Sequence, residues 1–301
     1  MEYDDEQYPH SREGLPNLPD LLDTVDWDVL CIFDACRWDA FEEYCESSEP
    51  VRSEFDHTFE WVKQVWCNDE YDWTDVTYVS GNIMTGQVEE SDGFDDALGN
   101  HVEEHVKGFE DFDVFHHLVG TTDPQKLAQK AELHEPPIVV HFMQPHNPFI
   151  GNIHVNASKS FEYTEMPLDG PEKISCEAKL VETGHVSLEM YRAAYLENLK
   201  LVWKKAEILR DRFDKVITTA DHGEVLGPDS FGHGSGTNQG DVVPFHTNWD
   251  VELPDPGSVG AAAEHEWETR PGTTQESGDT GLTQEEDEEL QDKLRALGYS
   301  A

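Results

Sequence analysis

Residues 216–224, V-I-T-T-A-D-H-G-E, constrain the fold more than any other part of the 301-residue chain. The first four are β-branched, which is typical of a buried strand, and Gly223 allows the backbone to turn sharply afterwards. Asp221 and His222 are therefore expected just past the carboxyl end of a strand, where open α/β sheets bind ligands. An adjacent carboxylate and imidazole suit a divalent cation such as zinc or manganese, although a solvated loop can contain the same pair.

Further runs of strand length occur at residues 27–34, 75–82 and 137–144. The first is almost continuously apolar, as expected of a strand buried on both faces of a parallel sheet. Residues 187–213 carry apolar residues at steps of three and four, which predicts an amphipathic helix leading into the 216–219 strand. This order predicts an α/β fold with a mostly parallel central sheet flanked by helices, an α/β/α sandwich.

We expect a single domain over residues 21–301, preceded by a loosely ordered arm at residues 1–20. A weaker strand is predicted at residues 112–119. Composition and capping residues predict three further segments: a polar insertion at about 152–183, an acidic, glycine-rich loop at about 254–281, and a short helix at 284–297.

The charge of the chain restricts its partners. It carries 64 acidic and 20 basic residues, a net charge of -44, and the acidic residues are spread over the whole length. Eight Trp, fourteen Phe and nine Tyr favour a folded core over disorder. Such a surface resembles those of proteins from salt-in halophiles, because concentrated salt screens the repulsion between carboxylates. Nucleic acid and anionic membrane surfaces are unfavourable partners, and an anionic substrate would require a local cation.

Several features predict the compartment. The five cysteines include no C-x-x-C pair, and the first residues lack the basic and apolar regions of a signal peptide. Every apolar run is too short to span a bilayer. We therefore expect a cytoplasmic protein with reduced thiols and without stable membrane insertion, while its oligomeric state stays open.

Candidate polar groups lie at the ends of several predicted strands. Asp34 ends the first strand, and Arg37 follows at the start of a predicted helix, where an anion is favoured. His141 lies within a later apolar strand, a position more typical of a hydrogen-bonded core histidine, and His146 lies in the proline-flanked loop after it. Because the carboxyl ends of parallel strands meet at one edge, these groups are expected to converge with Asp221.

These residues belong to motifs that resemble the sulfatase-like branch of the alkaline phosphatase superfamily, in its haloarchaeal form. The motifs are, in order, C-I-F-D-A-C-R-W-D, H-F-M-Q-P-H-N-P-F, T-A-D-H-G-E and F-G-H-G-S-G. Their order and spacing match over roughly residues 25–235, and L-R-A-L-G-Y after residue 282 resembles the family's ending. The resemblance implies an alkaline-phosphatase-like fold.

The resemblance also implies a metal site and a nucleophile. Asp34, Asp221 and His222 match the ligands of one divalent ion, with zinc, manganese, calcium and magnesium all open. Thr58 lies one helix after the first strand, at the place of the nucleophile, although a threonine that merely caps a helix would look the same in sequence. His146 and His233 match histidines that hold the substrate anion or protonate the leaving group.

Arg37 is the predicted partner of the substrate anion.

Two departures from the family narrow the range of activities that the resemblance implies. Formylglycine sulfatases carry Cys or Ser in a C/S-x-P-x-R context, whereas here Cys36 directly precedes Arg37. Two-metal relatives carry Asp-x-x-x-His in the middle of the chain, where this sequence offers His141 and His146 without the carboxylate. We therefore expect a single-metal, threonine-dependent hydrolase or transferase of phosphate or sulfate esters, similar to lipoteichoic-acid-synthase-like enzymes.

Two alternatives stay open at this point. One is a catalytically degenerate sulfatase-fold binding protein, because the surroundings of the nucleophile, D-H-T-F-E-W, depart from the usual pattern. The other is a sugar-phosphate mutase-like enzyme. The expected substrate is an anionic ester, either a small molecule or a glycan or lipid headgroup, and the sequence does not distinguish phosphate from sulfate.

Overall fold

A computed structural model describes much of the chain between residues 13 and 253. The described residues are 13–55, 57–67, 71–82, 85, 102, 105–111, 115–116, 121–153, 155, 180–181, 184–227, 231–232 and 237–253. The helices among them are α1 (Leu18–Thr24), α2 (Trp38–Tyr44), α3 (Thr58–Trp61), α4 (Pro124–Ala131), α5 (Leu188–Lys205), α6 (Glu207–Arg212) and α7 (Asn238–Asp241), with a π-helical segment at Val62–Trp66. The strands are β1 (Val29–Phe33), β2 (Glu49–Arg52), β3 (Thr77–Ser80), β4 (Gly108–Asp111), β5 (Phe115–His116), β6 (Thr121–Thr122), β7 (Ile138–Phe142), β8 (Val216–Thr219), β9 (Val225–Leu226), β10 (Phe231–Gly232) and β11 (Val242–Thr247).

Seven of the strands form one sheet in the order β2-β11-β8-β1-β7-β3-β4. β1 pairs in parallel with β7 and β8, and β3 pairs in parallel with β7 and β4. β11 runs antiparallel to both β8 and β2. The prediction of a mostly parallel α/β sheet is confirmed, and the four strands predicted most clearly are β1, β3, β7 and β8.

Helical layers cover both faces of the sheet. On one face, Phe33 of β1 lies with its ring centroid 6.5 Å from that of Phe41 in α2, and α5 packs beside α2 in the same layer. The register places Tyr78 of β3 level with Leu30 of β1, three residues before Phe33 and therefore on the opposite face. There the ring of Tyr78 lies 5.3 Å from that of Trp66 in the π-helical segment. The predicted α/β/α arrangement is confirmed.

The amphipathic helix predicted at residues 187–213 forms α5 and α6, which are separated at Ala206. Ser187 caps α5 by accepting a hydrogen bond from the backbone N–H of Met190 at 3.2 Å. The apolar positions that predicted the helix face the core, and its buried residues include Tyr191, Tyr195, Leu199, Val202 and Leu209. The chain thus passes from this helical layer into β8, as the apolar pattern of residues 187–213 indicated.

Other sequence predictions are corrected or untested. Within the segment predicted as a strand at residues 112–119, Phe115 and His116 are the described residues, and they form β5. α1 begins at Leu18, a buried residue inside the segment predicted as an arm. Most of the predicted insertion, and all of the acidic loop and the terminal helix, lie outside the described residues. None of the helices in the described ranges is both long enough and apolar enough to cross a membrane.

Candidate metal centre and active site

Asp34, Asp221 and His222 come together at the carboxyl edge of the sheet, where β1 and β8 lie side by side. One ligand atom from each residue lies within 4.8 Å of the others, and all three residues are buried. His222 Nε2 is 3.4 Å from Asp34 Oδ1 and 3.6 Å from Asp221 Oδ2. The convergence expected from the parallel topology therefore occurs for these three residues.

The orientation of His222 suits a metal ligand. Its Nδ1 lies 2.8 Å from the carbonyl oxygen of Gly223, which can only accept a hydrogen bond, so Nδ1 carries a proton. Nε2, the other ring nitrogen, faces the two carboxylates, and metal-ligating histidines likewise donate one ring N–H to a carbonyl oxygen while the other nitrogen faces the metal. Tetrahedral zinc with bonds of about 2.1 Å would separate its ligand atoms by about 3.4 Å, close to the two distances from His222 Nε2 to the carboxylate oxygens.

The backbone fixes the position of the Asp221 carboxylate. Its Oδ1 accepts hydrogen bonds from the N–H groups of Ala35 at 3.1 Å and His222 at 3.0 Å. Ala35 donates its hydrogen bond from a left-handed backbone conformation, with a φ of +57°. This conformation costs a non-glycine residue about 1–3 kcal/mol and is concentrated at functional sites. Burial alone would raise the pKa of Asp221, but the imidazoles of His222 and His141 outweigh it and hold that pKa well below its usual range. Asp221 is therefore an anion.

The surroundings of the second carboxylate, that of Asp34, disfavour its ionised form. Asp34 Oδ2 accepts a hydrogen bond from Asn82 Nδ2 at 2.8 Å. Burial, followed by the negative charges of Asp221 and Glu224, nevertheless raises the pKa of Asp34 well above its usual value. A cation placed between the two carboxylates would offset these effects and favour the ionised form of Asp34.

Thr58 is the first residue of α3, and its hydroxyl lies at the cluster. Oγ1 donates a hydrogen bond to Asp221 Oδ2 at 2.6 Å and lies 3.4 Å from Asp34 Oδ1. The alternative reading of Thr58 as a helix cap is wrong, because His57 is the N-cap and its Nδ1 accepts the N–H of Glu60 at 3.1 Å. The helix then continues into the π-helical segment, a feature that often accompanies functional sites.

His146 lies next to the cluster, in the loop after β7. Its backbone N–H donates to the carbonyl oxygen of Asp34 at 3.2 Å, and its Nδ1 lies 2.7 Å from the carbonyl oxygen of Asn147. Burial lowers the pKa of His146 to about 4, although the bond to Asn147 opposes the shift. The ring is therefore neutral at neutral pH, and its predicted contact with the substrate anion stays a prediction.

Arg37 forms a buried link between α2 and the segments that follow β8. Its Nε and Nη2 each donate to the Asp39 carboxylate at 2.8 Å. Its Nη1 donates to Gln239 Oε1 at 2.6 Å and to the carbonyl oxygen of Glu224 at 3.0 Å. The predicted role of Arg37 as an anion partner stays a prediction, and so does that of His233, which lies outside the described residues.

In the described part of the chain, Asn82 and His141 also lie at the cluster and were not among the predicted site residues. Asn82, after β3, reaches Asp34 as described above, and its S-G-N turn at a strand end was the available signal. His141 of β7 is buried and hydrogen-bonded, as a core histidine would be. Its Nε2 also lies 3.7 Å from Asp221 Oδ2, so the reading as a core residue was incomplete.

Gly223 is required by close packing rather than by an unusual turn. A Cβ added there would lie 2.1 Å from the carbonyl oxygen of Gln239, well inside contact distance. The N–H of Gly223 also donates to the carbonyl oxygen of Gly240 at 2.6 Å. The loop that carries His222 is thereby held directly against α7.

No family model matches the chain, and no curated protein sequence matches it. Among solved structures it is similar to the C-terminal periplasmic domain of EcEptC from Escherichia coli in complex with zinc, with a TM-score of 0.42, 13% identity and coverage of 73% of this chain and 74% of that chain. It is also similar to the soluble domain of lipooligosaccharide phosphoethanolamine transferase A from Neisseria meningitidis, with a TM-score of 0.42, 12% identity and coverage of 78% and 83%.

A third similar structure is a protein in the alkaline phosphatase superfamily from Vibrio parahaemolyticus, with a TM-score of 0.40, 9% identity and coverage of 73% of this chain and 60% of that chain. The fold and the site together define the class: an α/β protein with a buried Asp/His cluster of metal-ligand type at the carboxyl edge of its parallel strands.

Proposed function

We propose that the protein is a metal-dependent hydrolase or transferase of phosphate or sulfate esters, in the sulfatase-like branch of the alkaline phosphatase superfamily. The observation that carries this proposal is the position of the Thr58 hydroxyl, 2.6 Å from Asp221 Oδ2 and 3.4 Å from Asp34 Oδ1. A hydroxyl held against metal ligands is the arrangement of an activated nucleophile. The same position counts against a degenerate binding protein.

Asp34, Asp221 and His222 would hold a single divalent ion, and the Thr58 oxygen lies within reach of the same point. When bound, such an ion lowers the pKa of a coordinated hydroxyl and polarises the ester oxygen. Mixed nitrogen and oxygen donors favour zinc or manganese over calcium or magnesium, which prefer oxygen ligands.

The residues of the chain supply the rest of the reaction. Thr58 Oγ1 attacks the phosphorus or sulfur atom, forming a new bond as the bond to the leaving-group oxygen breaks. Asp221 Oδ2 accepts the hydrogen bond of that hydroxyl and orients it. The proton passes to Asp34, whose raised pKa makes it the better base of the two carboxylates and whose Oδ1 lies 3.4 Å from the same hydroxyl oxygen. The new ester on Thr58 is then released by water, which gives hydrolysis, or by an acceptor hydroxyl, which gives transfer.

His146 is suited to proton transfer with the leaving group. In the substrate-free protein it is neutral, because burial lowers its pKa to about 4. A bound anionic ester would raise that pKa and favour the protonated form, which donates to the departing oxygen. His233 is the second candidate for this step, as the resemblance implies.

A panel of nitrophenyl phosphate, phosphodiester and sulfate substrates tests the proposed reaction. In concentrated salt we expect turnover of at least one of these esters, its loss after treatment with a chelator, and its recovery with zinc or manganese. Chelator treatment followed by magnesium alone serves as the comparison for metal preference. Turnover that survives complete removal of metal would contradict the proposed mechanism.

We also propose that the protein works in concentrated salt inside the cell, on an anionic small molecule or a glycan or lipid headgroup. With a net charge of -44, mutual repulsion destabilises the folded state wherever it is not screened. We expect the Tm to rise by about 5 °C or more between about 0.1 M and 2 M KCl, since the Debye length falls below about 3 Å. An equal rise in sucrose of the same osmolality would contradict screening as the cause.

A further inference from the structure

A buried pair of side chains lies beside the metal cluster and has no role in the reaction as proposed so far. Tyr78 of β3 and His141 of β7 are both fully buried, and the Tyr78 hydroxyl lies 2.7 Å from His141 Nδ1. The other ring nitrogen, Nε2, lies 3.7 Å from Asp221 Oδ2. The pair thus connects the centre of the sheet to one of the ligand residues.

We propose that Tyr78 and His141 form a positioning pair for Asp221. The Tyr78 hydroxyl donates to His141 Nδ1, and the N–H at Nε2 is thereby directed at Asp221 Oδ2. The effect on catalysis rests on the proposed function, whereas the proton arrangement and its effect on metal binding do not.

The sheet register brings the two residues together. β3 and β7 are parallel, with Ser80 level with His141 and Tyr78 level with Val139. Tyr78 and His141 therefore occupy positions two residues apart along neighbouring strands and point to the same face. That face is the one covered by the segment that follows Thr58, since Tyr78 packs against Trp66.

The surroundings of the phenol fix the direction of the hydrogen bond. Its ring lies 5.3 Å from Trp66 and 5.7 Å from Phe109, both apolar neighbours. Burial, followed by the charge of Asp221, raises the pKa of Tyr78 well above its usual value, so the phenol keeps its proton. Among the described residues, Nδ1 is the acceptor within reach of that proton. Because Nδ1 accepts that bond, the ring hydrogen of His141 lies on Nε2.

This tautomer organises the remaining hydrogen bonds of the cluster. Asn82 Nδ2 lies 3.4 Å from His141 Nε2 but donates to Asp34 Oδ2 at 2.8 Å. Because a protonated Nε2 accepts no hydrogen bond, the second amide hydrogen of Asn82 stays available to Thr58 Oγ1 at 3.4 Å. The opposite tautomer would draw that hydrogen to His141 and remove the donor that faces Asp221. Tyr78 therefore selects the arrangement in which a donor faces Asp221 and an amide hydrogen of Asn82 faces Thr58 Oγ1.

The proton arrangement is tested directly by nuclear magnetic resonance on protein with ¹⁵N-labelled histidine, without metal or substrate. We expect the His141 ring to show a protonated Nε2 and an unprotonated Nδ1, with its signals identified by their loss in His141→Gln. In Tyr78→Phe we expect both tautomers to be populated. A wild-type ring protonated at Nδ1 would overturn the proposal.

Metal affinity, measured by calorimetry on metal-stripped protein, tests the positioning role. We expect Tyr78→Phe and His141→Asn to weaken zinc or manganese binding by about 10-fold to 100-fold, the usual effect of losing an outer-shell partner. His141→Gln, which can place an amide N–H where Nε2–H stood, is expected to retain most of the affinity. Tyr71→Phe is the matched control, since that tyrosine hydroxyl bonds Asp20 instead.

Equal affinities for His141→Asn and His141→Gln, or for Tyr78→Phe and Tyr71→Phe, would overturn the positioning role. Denaturant unfolding of each variant separates this effect from a general loss of stability. In active protein the same variants should lower kcat and leave KM nearly unchanged. If the wild type turns over no ester while the tautomer and the affinities follow this pattern, the proposed function fails and the positioning pair stands.

Discussion

Thr58→Ala is expected to lower kcat for ester cleavage by about 10⁴-fold or more, the size of effect seen when a nucleophile is removed. The substitution deletes the hydroxyl that lies 2.6 Å from Asp221 Oδ2. It leaves the carboxylates and the imidazole of the cluster in place, so the variant should still bind one divalent ion. Initial rates and metal content measured on the same preparation check both parts of this expectation.

Thr58→Ser is the matched control, because it keeps the hydroxyl and removes only a methyl group. We expect it to retain activity within about 10-fold of the wild type, since the nucleophilic oxygen is preserved. Substantial activity in Thr58→Ala with metal retained would show that another residue is the nucleophile. Equal losses in both variants would instead indicate that the methyl group matters through packing.

The second large effect is expected from Asp221→Asn, which preserves the shape of the side chain and removes its charge. The backbone N–H groups of Ala35 and His222 can still bond the amide oxygen, so the loop should keep its conformation. We expect metal affinity to fall by at least about 100-fold, more than for an outer-shell residue, with loss of ester cleavage. Calorimetric titration and activity at saturating metal are the measurements.

Asp28→Asn is a suitable control for that substitution. Asp28 lies at the amino end of β1, where its Oδ2 accepts a hydrogen bond from the N–H of Lys215 at 3.0 Å. It is therefore at the opposite edge of the sheet from the cluster, and its substitution should leave metal affinity unchanged. Asp221→Asn that binds metal as tightly as Asp28→Asn would remove Asp221 from the ligand set.

The convergence of Asp34, Asp221 and His222 could be predicted from the sequence because two local signals were sufficient. β-branched and apolar runs marked β1 and β8, and each run ended in a potential ligand. Parallel topology then required the two ends to lie at the same edge, whatever their separation in sequence. Sequence pattern and topology together therefore determine this part of the site.

The antiparallel strands, β11 and β2, were not predicted because of their local sequence. β11 contains Pro244, which is unusual in a strand, and its neighbour β2 contains Pro50 directly opposite. The helix cap beside Thr58 was equally hard to predict, because the choice between His57 and Thr58 as the cap depends on a single backbone conformation.

Contacts between distant segments also could not be predicted from the sequence. The pairing of Tyr78 with His141 depends on the register of β3 against β7, and one residue of shift would place the two on opposite faces. Arg37 binds Gln239 across the fold, a partner that no pattern near Arg37 indicates. Both cases involve side-chain geometry that only the assembled sheet and helices define.

Metal content is the measurement that tests the central claim most directly. Elemental analysis of wild-type protein and Asp221→Asn, both purified in concentrated salt, should give one zinc or manganese ion per wild-type chain and none in the variant. Wild-type protein that binds no divalent ion at any salt concentration would contradict a metal centre at Asp34, Asp221 and His222. The fold would then be better explained as that of a binding protein.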